Sequence, residues 1–167
     1  MTVKGNGLGS RSFQTLTKPH AMMVVGGSVS SYEAGEVWHL FENRMQIPLV
    51  KVPEDRFYQT DIYRYNVIIM VSGRYRLLNK KEKNRIKQWV ADGNTLITTA
   101  RGSEWAVKQK IADEVLISSK VDTLATNKRS NYERAAGTIQ KHNIGGAIFG
   151  IDLDITHPIA YGYQDRN

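Results

Sequence analysis

A chain of 167 residues, 41% hydrophobic and 23% charged, is long enough for one domain with a real core, and its opening MTVKGNGLGS offers no hydrophobic signal segment. No apolar run approaches the roughly 18 residues a bilayer span requires, and zero cysteines exclude thiol catalysis, thiolate metal sites and disulfides, leaving the compartment open. The net charge of +7 is concentrated: residues 61–100 carry eight basic against three acidic side chains, whereas 1–60 carry six against five and 101–167 nine against eight.

Residues 1–18, rich in Gly, Ser, Thr and Lys, read as a linker or surface arm, and the fold is expected over 19–167. The apolar run 21–25, ending at Gly26-Gly27, suits a strand buried on both faces. Ser30 and Glu33 have capping-box spacing, and Ala34, Val37, Trp38, Phe41 and Met45 then recur on one helical face. Residues 48–52 and 66–71 predict two further strands, the latter before Ser72-Gly73. Asn79 with Glu82 offers a second cap, and Leu78, Ile86, Trp89 and Val90 the inner face of a helix closed by Gly93. A strand at 95–99, a helix at 103–111, a strand at 115–118 and a helix at 131–141 precede the apolar run 146–151. Short apolar strands alternating with amphipathic helices predict a three-layer α/β sandwich on a mostly parallel, doubly wound, flavodoxin-like sheet.

Three stretches, GGSVSSYEAGEVWHLFE (26–42), YNVIIMVSGRYRLL (65–78) with KQWVADGNTLITTA (87–100), and IGGAIFGIDLDITHPIAYGY (144–163), carry a family likeness. They resemble the class I glutamine-amidotransferase-like domain found near the C-terminus of bacterial carboxypeptidase A-like zinc metallopeptidases. That domain continues past the Tyr-Gly-Tyr, so the resemblance implies a fragment or a short version. It also implies an adjoining peptidase domain and a periplasmic or secreted setting. Zinc, bound in that family through H-x-x-E and a distant His, is expected only in the adjoining domain, with no cofactor in this chain.

Working amidotransferases present a thiolate from G-x-C-x-G at a sharp turn after a strand, beside backbone N–H groups that hold the oxyanion. The corresponding stretch is Thr98-Thr99-Ala100-Arg101-Gly102, which puts a methyl group at the nucleophile position, Ala100. The resemblance therefore implies a lost nucleophile and a non-catalytic accessory domain rather than an enzyme. Ser103 lies nearby but brings no paired His and carboxylate.

Other candidates come from the residues themselves. Asp152, Asp154 and His157 in DLDITHP place two carboxylates and an imidazole within six residues, enough for a metal-assisted hydrolase at a strand end; the alternative is a turn whose side chains bond backbone amides. Glu36 and His39 have di-iron-like E-x-x-H spacing but no second copy, and read as solvated helix neighbours. Gly26, Gly27, Ser72, Gly73 and Arg101 are candidate strand-end loop residues, where open α/β sheets gather ligands. Arg74, Arg76, Lys80, Lys81, Lys83, Arg85 and Lys87 form a basic segment, either a solvated face or a module for an anionic partner such as an acidic protein surface, a glycan or nucleic acid. Tyr75 is the only aromatic among them, which argues against nucleic acid, since single-strand binders offer several stacking platforms.

Overall fold

Five apolar residues, Ala21–Val25, form strand β1, whose first four side chains are buried although they alternate between two faces. That burial requires cover on both sides of the sheet. The computed structural model describes residues 17–116, 150–157 and 160–164. The chain divides into two compact units, Met1–Ile117 and Ser118–Asn167, and the sheet lies in the first.

Strands β2 (Leu49–Pro53), β3 (Val67–Met70) and β4 (Thr95–Thr98) join β1 in the order β2-β1-β3-β4, every pairing parallel. Ala21 stands level with Leu49 on one side and Val67 on the other. The chain thus winds outward from β1 in both directions, the doubly wound, flavodoxin-like arrangement.

Helix α1 (Ser31–His39) covers one face, where Ala34 and the partly buried Val37, Trp38 and Phe41 meet Ala21, Met23, Leu49, Ile69 and Val71. Helices α2 (Lys80–Ala91) and α3 (Arg101–Lys108) contribute Ile86, Trp89, Trp105 and Ala106 to the opposite face. Met22, Val24, Ile68 and Met70 meet them there, together with Phe57 and Ile62 from the short turns Glu54–Gln59 and Ile62–Arg64. Each fully buried Ile or Met side chain contributes roughly 1.5–3 kcal/mol, which makes this two-sided core the main stabilising term.

The caps divide. Asn79 and Glu82 form a complete capping box, and Gly93 follows α2 with φ +95 as a left-handed stop. At α1 only half the box forms: the Ser30 hydroxyl accepts from the Glu33 N–H, but the Ser30 N–H donates to the Ser72 carbonyl at 2.8 Å. Glu33 is thereby released to bond elsewhere. Met45, expected on the apolar face of α1, is 52% exposed, because the chain passes into a π turn at Leu40–Arg44 that adds a residue per turn and shifts the helical phase.

Helix α3 begins at Arg101, two residues before the expected 103, and ends at Lys108. Val115 and Leu116 lie in no regular element, and the rest of the strand expected at 115–118 falls outside the described residues. So do residues 1–16, the helix expected at 131–141 and positions 146–149 of the last apolar run. Among the described residues no helix is long and apolar enough to cross a membrane.

Candidate functional site

Because β2 and β3 flank β1 on opposite sides, the chain leaves β1 one way and β3 the other, opening a crevice above their carboxyl ends. Open α/β sheets place ligands at such a switch point. Here it is an open cleft of about 390 Å³, lined by Ser28 and Ser30 from the loop after β1, Ser72, Arg74 and Arg76 from the loop after β3, and Arg101. Gly27 and Gly73 also line it, whereas Gly26 serves the turn. Of the strand-end residues singled out in the sequence, Gly27, Ser72, Gly73 and Arg101 meet in one place.

Two carboxylates brace the cleft from behind. Glu54, only 2% exposed, accepts from the Ser28 N–H (3.2 Å), the Ser28 hydroxyl (3.3 Å) and the Leu77 N–H (2.7 Å), tying the two loops together. A buried carboxylate is tolerable only with such donors. Gly27, at φ +57, is required here twice over: a Cβ would lie 2.5 Å from the Glu54 carboxylate, and the left-handed backbone disfavours other residues. Glu33 accepts from the Ser72 N–H at 2.9 Å and the Thr99 hydroxyl at 3.2 Å, joining α1 to the ends of β3 and β4. Nothing in the spacing of Glu33 or Glu54 marks this role, and Glu33 reads locally as the capping-box partner of Ser30.

Tyr75 is fully buried with φ 47, donates to the Val71 carbonyl at 2.6 Å, and packs against Trp105 at 5.4 Å between ring centroids. Burial, followed by the nearby Glu54 and Glu33 charges, holds its phenol well above the ordinary tyrosine range. The sole aromatic of the basic segment is therefore a core residue. The segment itself divides. Arg74 and Arg76 face the cleft, while Arg85 donates to the Phe57 carbonyl at 2.7 Å and stacks over the Phe57 ring. Lys80, Lys81 and Lys87 lie exposed along α2 and Lys83 half-buried.

Between β4 and α3 the backbone makes a sharp turn at Ala100, with φ 45 and ψ −118. Such a conformation costs a non-glycine residue about 1–3 kcal/mol and is the kind of strained strand-to-helix turn that lifts a nucleophile above a sheet. Two residues on, a Cβ at Gly102 would collide with the Met70 carbonyl and lie 2.7 Å from that of Val71. Glycine at that position lets α3 sit directly on the end of β3. Ser103, the nearby hydroxyl, shares a 3.0 Å hydrogen bond with Thr98.

The DLDITHP segment belongs to the second unit. Asp154 Oδ1 accepts from the Thr156 hydroxyl at 2.6 Å and the Thr156 N–H at 2.9 Å, and the His157 N–H donates to the Asp154 carbonyl at 3.1 Å. This is the turn reading of those residues. The Thr156 hydroxyl, then the Thr156 N–H, keep the exposed Asp154 carboxyl below its ordinary range. Glu36 and His39 are both exposed on α1. One H-x-x-E spacing does occur in the chain, His39-Leu40-Phe41-Glu42. Both of its side chains are exposed where α1 runs into the π turn. Among the described residues, no three His, Asp or Glu side chains gather into a group able to hold a metal ion.

Compared with family models, curated proteins and solved structures, the chain finds no match.

Proposed function

We propose that this chain is a non-catalytic α/β module, a glutamine-amidotransferase-like domain without its nucleophile that serves as an accessory to a zinc carboxypeptidase-like domain. The observation that carries this reading is Ala100: a strained turn suited to presenting a nucleophile holds a methyl group. The glycine at 102 supports it, since the close approach of α3 to β3 is the packing such a turn needs. Ser103 lends no rival chemistry, because its hydroxyl bonds Thr98 rather than an imidazole. The adjoining domain, its zinc and a periplasmic or secreted setting belong to this proposal through the sequence resemblance alone.

The test is an assay of the purified chain for glutamine and peptide hydrolysis, beside its Ala100→Cys and Ser103→Ala variants. No turnover by the unmodified chain, with thiol labelling of Ala100→Cys at an accessible site, is expected. Hydrolysis by the unmodified chain that Ser103→Ala abolishes would overturn the reading.

A further inference from the structure

We infer that the cleft between the β1 and β3 loops binds a small ligand bearing a multiply charged oxyanionic group, a phosphate or paired carboxylates, held by Arg74, Arg76 and Arg101. This goes beyond the loss of the nucleophile and does not depend on it.

Three arginines line one cleft of about 390 Å³, and among the described residues none of them has an ion-pair partner. Like charges gathered this way repel one another, and folding gives no reason for the arrangement. The neighbouring acids do not neutralise them: Glu54 and Glu33 direct their oxygens to loop N–H and hydroxyl groups, and Glu104 pairs with Lys108 at 3.3 Å. Planar guanidinium forks match the oxygens of phosphate and carboxylate, which separates this cleft from the point charges of the α2 lysines.

The loop carrying Arg74 and Arg76 is held in place before any ligand arrives. The Arg74 N–H donates to the Ser28 carbonyl at 3.2 Å, the Ser30 N–H to the Ser72 carbonyl, and Val29 faces Gly73 in an isolated antiparallel bridge. A braced site loses less freedom on binding.

A neighbouring depression of about 420 Å³ shares Gly73, Arg74 and Arg101 with the cleft and adds Glu104, Trp105 and Lys108, of which Glu104 and Lys108 pair with each other at 3.3 Å. The buried indole N–H of Trp105 has no hydrogen-bond acceptor among the described residues. Arg74 and Arg101 therefore stand on the divide between two hollows, one lined by serines and the other also holding the Glu104–Lys108 pair. The volume suits a small molecule, and a buried Tyr75 supplies no stacking platform for a nucleic-acid strand.

Calorimetric titration of the full chain at low salt with inorganic phosphate, and separately with succinate, tests the inference. Saturable one-site binding of either probe is expected, and the probe that binds identifies the phosphate or carboxylate class. Arg74→Gln and Arg101→Gln, both exposed and absent from the core, should each weaken binding roughly tenfold. The control pair Lys80→Gln with Lys87→Gln, on α2, should change it less than about twofold. No saturable binding of either probe, or equal loss in the lysine control, would overturn the assignment.

Discussion

The carboxylate of Glu33 accepts a hydrogen bond from the backbone N–H of Ser72 at 2.9 Å, across 39 positions of sequence. The same carboxylate reaches the Thr99 hydroxyl, so one side chain on α1 holds the ends of both β3 and β4. Glu33→Ala should lower unfolding stability by about 1–3 kcal/mol, the range for losing a charged acceptor and stranding a half-buried N–H. Glu36→Ala, on the exposed side of the same helix, should change it by less than about 0.5 kcal/mol. Urea unfolding of the two variants gives the comparison, and equal effects would remove the bracing role.

Ala100→Gly should stabilise the chain by about 1 kcal/mol, since glycine adopts φ 45 without the strain alanine bears there. The ordinary sign for Ala→Gly is the reverse. Gly102→Ala should instead cost more than about 2 kcal/mol, because the new methyl meets the Met70 and Val71 carbonyls. Thermal melts of both variants decide the matter; opposite shifts are required by the turn described.

Tyr75 donates to the Val71 carbonyl from a fully buried position, and Tyr75→Phe should cost about 1–2 kcal/mol by leaving that carbonyl unpaired. Its folded-state pKa lies above the ordinary value of 10.0, so the native state favours the protonated phenol. That contribution is whole below the ordinary value and is lost as pH rises above it toward the folded pKa. Ultraviolet titration should find one tyrosine that ionises only with unfolding, and that phase should vanish in Tyr75→Phe.

Asp154 carries the opposite sign. Hydrogen bonds from Thr156 lower its pKa, so its turn is favoured above the ordinary carboxylate range and weakens as pH falls through the folded value. Carbon-detected NMR titration should place this carboxyl below a typical exposed aspartate, and Thr156→Val should bring it back. A normal midpoint in the unmodified chain would remove the Asx turn.

Much of the fold was legible because its signals are local. The apolar runs at 21–25 and 66–71, the Asn79–Glu82 box and Gly93 each depend on neighbours a few residues away, and the structure places a strand, a cap or a stop at each. The Ser30–Glu33 box misled by half, since the long-range partners Ser72 and Thr99 compete with the local one. Arg74 through Lys87 read as one basic segment, yet the chain turns at Tyr75 and sends Arg74 and Arg76 to the cleft while Arg85 packs on Phe57.

By itself the sequence determined the layered α/β class, the absence of any thiol and the alanine at position 100, for these follow from residue identity and short-range periodicity. Only the tertiary structure decided that Ala100 occupies a strained turn, that Gly102 lies against Met70, and that two arginines from the loop after β3 and one from the start of α3 line one cleft. Strand order is the physical reason: β1 lies between β2 and β3, so the loop after β1, the loop after β3 and the start of α3 meet above the sheet, and no local pattern encodes that meeting.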